Sequence, residues 1–124
     1  MSPECESLLG KSKKNFELAL TLKDKDNFDA AANRFYYSVF QAVKAYALAI
    51  GRMKINDSKK VHAIAAAVVR DTDKRYHRTM REACELRIKA DYLCEGVSKS
   101  EMDQHFLNNL QTMRDKFEAM AKSA

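Results

Sequence analysis

The chain has 124 residues, 46% of them hydrophobic and 31% charged, with three glycines, one proline and a formal net charge of +5. That is one domain's length, enough to bury a core without staples, and so much apolar and aromatic material excludes disorder. Few helix breakers and an abundance of Ala, Leu, Met, Lys and Glu point to an all-α fold, with residues 1–124 forming one domain.

Ser2, Pro3 and Glu4 read as an N-cap, a proline at the first helical position and an acid in the first turn. The first helix then runs to about Leu22, with Leu8, Leu9, Phe16, Ala19, Leu20 and Leu22 as its apolar side. A polar turn at 23–27 leads to a second helix from about Asn27 to Ile50, stopped by Gly51. Two adjacent apolar lines run down it, one through Ala31, Phe35, Ala42 and Tyr46, the other through Phe28, Ala32, Tyr36, Val43 and Ala47. Only a narrow strip of Arg34, Tyr37, Gln41 and Lys44 is polar, so this helix belongs in the middle of a bundle.

Asp57 or Ser58 caps a short third helix, whose run at 63–69 has the character of a buried segment. Thr72 or Asp73 restarts a long fourth helix reaching about Leu93, and Gly96 closes it. Ser98 with Glu101 forms a capping box, and Val97 with Met102 the matching staple, for the fifth helix. Its stripe of Met102, Phe106, Leu110, Met113, Phe117 and Met120 keeps helical period over five turns. Long helices with short connections favour an antiparallel up-and-down bundle of about five helices.

Cys5, Cys84 and Cys94 are an odd count without ligand spacing, which argues against disulfides or zinc and for a reducing compartment. The opening segment lacks the continuous apolar run of a signal peptide, and no stretch approaches the ~18 apolar residues of a membrane span. A cytoplasmic location follows. His62, His77 and His105 are scattered, no Glu-x-x-His pair occurs, and no metal or cofactor is expected. A helix-turn-helix over the third and fourth helices is disfavoured by a turn without glycine at 70–73.

The second helix carries Ala31, Arg34, Tyr36, Tyr37, Val39, Phe40, Ala42, Lys44, Ala45 and Gly51 in the order and spacing of A-x-x-R-x-Y-Y-A-V-F-x-A-x-K-A. The fourth ends in Leu86, Arg87, Ala90, Asp91 and Tyr92, an L-R-x-x-A-D-Y close, and His62 opens the third. Together these resemble the HEPN family over roughly residues 11–118. The resemblance implies a five-helix bundle, usually a homodimer, serving as half of a toxin–antitoxin or defence pair beside a small nucleotidyltransferase. Many such proteins are metal-independent ribonucleases with an Arg-x(4–6)-His motif near the end of the fourth helix. Here Asp91 and Tyr92 stand where that histidine would be, and a solvated aspartate is a poor general acid near neutral pH.

The reading is therefore a non-catalytic module that binds nucleotide, RNA or protein. The alternatives are a ribonuclease with an atypical site, or a helical adaptor with no ligand. The atypical site would be either Arg87 with Asp91 and Tyr92 or a literal Arg-x6-His, Arg70 to His77, which straddles the break between two helices. Arg87 and Asp91 are an i, i+4 pair in the weaker order, and the helix dipole disfavours Asp91 in the last turn. A bidentate Arg34–Asp91 ion pair would answer both and tie the second helix to the fourth. It would leave Arg87, Lys89, Tyr37 and Tyr92 to face a phosphate or base.

Overall fold

The computed structural model describes residues 1–54 and 59–124, so the expected caps at Asp57 and Ser58 lie outside the described residues. Within them are five α-helices and no strand: α1 (Pro3–Asp24), α2 (Phe28–Ala49), α3 (Val61–Thr72), α4 (Lys74–Tyr92) and α5 (Gln104–Ser123), with a 3₁₀ turn at Ser100–Met102. None of these helices is long and apolar enough to cross a membrane.

Eleven of the 22 residues of α2 are buried, which places it at the centre. Alanines at 31, 32, 42, 45 and 47 let neighbouring helices approach it closely, while Phe35, Val39 and Val43 fill the space between. Cys5 Sγ donates to the Ala45 carbonyl at 3.4 Å, and Phe16 meets Phe35 edge-on at 5.3 Å. Partners on α2 descend as those on α1 climb, so the two helices are antiparallel. The same holds for α2 and α4, where Asn33 meets Asp91 and Tyr36 meets Arg87. Phe117 of α5 packs edge-on against both Tyr46 of α2 and Tyr76 of α4. Burying a phenylalanine of this kind stabilises by roughly 1.5–3 kcal/mol.

A polar knot lies inside the packing of α1, α2 and α5. The hydroxyls of Ser12 and Ser38 each donate to the other's backbone carbonyl at 2.6 Å. Arg114, only 7% exposed, donates to the Ser12 hydroxyl at 3.2 Å and pairs with Glu118 at 2.8 Å. Burial would raise the Glu118 carboxyl, but Arg114 and Lys122 outweigh it and hold the group below its usual range.

Several helix ends differ from expectation. Serine and glutamate do form the reciprocal box, Ser98 N–H to Glu101 Oε1 at 3.0 Å and Glu101 N–H to Ser98 Oγ at 3.3 Å. It caps the 3₁₀ turn, however. The helix α5 begins afresh at Asp103, whose carboxylate accepts from Phe106 N–H at 2.8 Å. Gly96, at φ +71°, does not close α4, which ends at Tyr92. It turns the following loop so that Val97 N–H reaches the Asp29 carboxylate at 2.7 Å. Asp73 caps α4 as expected, accepting from Arg75 N–H. Of the apolar run in α3, only Ala65, Val68 and Val69 are buried, because α3 packs against α2 and α4 on one side alone; Leu20 of α1 is exposed.

Candidate functional site

His77, Met80, Cys84, Arg87 and Asp91 step by 3, 4, 3 and 4 along α4, so they share one face of that helix. That face meets Asn33, Tyr36 and Tyr37 of α2, with Arg34 against the Tyr37 ring and His62 of α3 against Tyr36. Two guanidinium groups lie against the two tyrosines. Arg87 sits 4.8 Å from the centre of the Tyr36 ring and 5.8 Å from that of Tyr37, while Arg34 sits 5.4 Å from the Tyr37 ring. These are cation–π distances.

The expected ion pair between Arg34 and Asp91 is not made. Arg34 gives Nε (2.9 Å) and Nη2 to the amide oxygen of Asn33, and Nη1 to that of Asn15 at 3.2 Å. The Asn33 nitrogen in turn donates to Asp91 at 3.1 Å. Asparagine offers an acceptor to the cation and a donor to the anion, so one amide satisfies both and spans the gap between them. Asp91 also meets Arg87 within α4, at 3.7 Å.

Among the described residues, Arg34 thus has neutral partners and Arg87 a single distant carboxylate. The Arg87 Nε is buried and finds no hydrogen-bond acceptor among them. Burial pulls the Arg87 pKa down, but the Cys84 sulfur and the two tyrosines outweigh it, and the group stays charged.

Tyr36 and His62 form a second element of the site. The Tyr36 hydroxyl lies 3.0 Å from His62 Nδ1, and the imidazole stacks on Phe40 at 4.6 Å. Burial, then the Cys84 sulfur, push the Tyr36 phenol up to about 12. Burial, then the Arg87 cation, hold His62 below its ordinary 6.5, so the ring is neutral at pH 7. Beside this pair is a cavity of about 230 Å³, lined by Tyr36, His62, Ala66, His77, Met80, Arg81 and Cys84.

Of the residues expected from the sequence, Arg87 and Tyr37 stand together in this cluster with Arg34 and Asp91. Lys89 does not join them. It lies on another side of α4 and is held by Glu101 at 3.0 Å and by Glu95 at 3.8 Å. Tyr92 is 73% exposed beyond the cluster. His77 lines the cavity but Arg70, on the exposed end of α3, does not, so the structure gives them no shared site. Asn33, Tyr36 and His62 join the cluster beyond the residues expected from the sequence. The signal for Tyr36 was a phenol on an apolar line, since a buried tyrosine hydroxyl needs a partner. Among the described residues, no three of His, Cys, Asp and Glu converge as ligands for a metal ion.

These features define an all-helical bundle with a cationic, aromatic face where its central helix meets α3 and α4. The HEPN domain family model matches residues 5–118. The chain belongs to the HEPN domain family. It is 30% identical over 107 residues to "Putative toxin MJ0142" of Methanocaldococcus jannaschii, covering 85% of this chain and 73% of that protein. It is 29% identical over 116 residues to "UPF0332 protein glr0978" of Gloeobacter violaceus, covering 86% of each.

Proposed function

We propose that this protein is the HEPN member of a toxin–antitoxin or defence pair, acting in the cytoplasm as a homodimer beside a small nucleotidyltransferase. Its α2–α4 face binds the phosphate of a nucleotide or RNA. One observation carries the binding reading: Arg34 and Arg87 both lie against Tyr37, and among the described residues their polar partners are neutral groups and one carboxylate 3.7 Å away. Two guanidinium groups facing one carboxylate leave positive charge at a face with aromatic surface, the combination that holds single-stranded nucleic acid. The archaeal relative with "toxin" in its name supports the pairing with an antitoxin.

The test is binding of a single-stranded RNA across a salt series. Affinity should fall with salt and drop about tenfold or more in the Arg34→Met, Arg87→Met double variant. Equal binding by that variant refutes the reading.

Cleavage is the second reading, favoured by His62, which places a neutral imidazole beside Tyr36 and within the field of Arg87. General acid–base chemistry near pH 7 suits such a group. RNA cleavage that persists in EDTA and is lost in His62→Asn but not in His77→Asn would establish it. No cleavage by the wild type supports the non-catalytic reading.

A further inference from the structure

The cavity of about 230 Å³ beside Tyr36 has no part in holding phosphate, yet it adjoins the groups that would. Cys84 lines it, and Arg87 lies one turn further along the same face of α4, where Cβ atoms are about 5–6 Å apart. Tyr36 is shared as well, with its hydroxyl toward His62 and its ring under the Arg87 guanidinium. The volume is below the ~300–1,000 Å³ of pockets for drug-sized ligands, which limits an occupant to one small ring system. Its walls suit a flat heteroaromatic ring. Tyr36 and His62 supply π-faces, Met80 a polarisable thioether and Ala66 a short side chain that leaves room.

The polar groups are also selective. Arg81 offers only donors, whereas an imidazole or a hydroxyl can donate or accept, and the Tyr36 hydroxyl is already engaged with His62 Nδ1. None of the seven lining residues is a carboxylate or an amide, the groups that best receive an exocyclic amine. A base edge with carbonyl acceptors is therefore matched by the Arg81 guanidinium, whereas an amino group finds no carboxylate or amide in the lining and must compete for a ring nitrogen or hydroxyl.

We infer that this cavity is a subsite for one nucleobase of the ligand whose phosphate is held at Arg34 and Arg87, and that it prefers the keto bases guanine and uracil over adenine and cytosine. The inference rests on the phosphate-binding reading above. It adds base recognition, which separates a nucleotide or RNA from phosphate compounds at large.

The experiment compares wild-type binding of ribose 5-phosphate, the four nucleoside 5′-monophosphates, hexauridylate and hexaadenylate. Guanosine or uridine monophosphate, or hexauridylate, should bind about tenfold or more tightly than its amino-base counterpart, within the range of one stacked base. Preference among the monophosphates identifies a free nucleotide as ligand. Preference confined to the hexamers identifies RNA. Ala66→Phe fills the cavity and should abolish the preference while leaving ribose 5-phosphate affinity unchanged. Ala66→Leu, a smaller intrusion, should weaken the preference, and thermal melting reports whether each variant is folded. If all bases and ribose 5-phosphate bind alike, and folded Ala66→Phe binds as the wild type does, the base subsite is overturned while phosphate binding stands. If neither ribose 5-phosphate nor RNA binds at all, both readings fall.

Discussion

Replacing Arg87 by Met separates a group that serves the ligand from one that serves the fold. The side chain is mostly buried, with a guanidinium 4.8 Å from one tyrosine ring and 5.8 Å from another. Each such contact is worth ~0.5–2 kcal/mol between exposed and desolvated sites. The i, i+4 pair with Asp91, stretched to 3.7 Å, adds ~0.2–0.5 kcal/mol at best. Against these stands the buried Nε without an acceptor, which costs ~1–3 kcal/mol. Gain and cost nearly cancel, and methionine keeps the packing of the aliphatic stem. Arg87→Met should therefore change unfolding free energy by no more than about 1 kcal/mol, a shift in Tm below about 8 °C. RNA affinity should fall about tenfold, and the slope of log K against log salt should lose about 0.7, one single-strand phosphate contact. Urea melts with a fluorescence binding titration check both. A stability loss above about 3 kcal/mol with unaltered binding would make Arg87 a strut and refute the reasoning.

The geometry also bears on four other positions. His62 should titrate below 6.5 by NMR, and Arg87→Met should raise its pKa, because removing a nearby cation favours the protonated ring. The unfolded chain then binds this proton more readily than the folded one. Stability due to His62 is thus present above 6.5 and lost as pH falls toward the folded pKa, and urea melts of His62→Gln should lack that dependence. Gly96→Ala should destabilise by ~1–2 kcal/mol, because the residue is left-handed and its Cβ would lie 3.2 Å from the Asp29 carboxylate. By contrast Gly10→Ala, mid-helix with open space, should stabilise by ~0.5–1 kcal/mol, both by thermal melts. Ser12→Ala removes the 2.6 Å bond to Ser38 and a partner of buried Arg114, so it should cost ~1–3 kcal/mol in the same assay.

The central position of α2 was legible because apolar residues cover most of its circumference, and a helix of that kind has nowhere else to pack. Its polar strip was legible as a set of polar contacts for the converse reason: Arg34 and Gln41 both meet Asn15 of α1. Helix ends were harder. A capping box satisfies two N–H groups whatever follows it, so Ser98 and Glu101 could not reveal that the turn after them is 3₁₀. The end of α1 carries no glycine, yet Asp26 takes φ +58° there, and its N–H and that of Asn27 close the last turn on Lys23 and Leu22.

The site itself divides along the same line. Charge pairing could be anticipated from Arg34 and Asp91, but an uncharged bridge could not. Asn33 adjoins Arg34 in sequence, and adjacent helix residues do not normally face each other. Contact arises because the long arginine side chain folds back onto its neighbour's amide, which then reaches α4. A direct bidentate pair with Asp91 would have matched the Arg34 charge with an opposite one, whereas among the described residues the neutral amides of Asn33 and Asn15 hold the guanidinium in place. Lys89 shows the opposite arrangement, matched by Glu101 and Glu95. Net basicity therefore says little about where an anion would bind. What distinguishes the two cations is whether their partners carry charge.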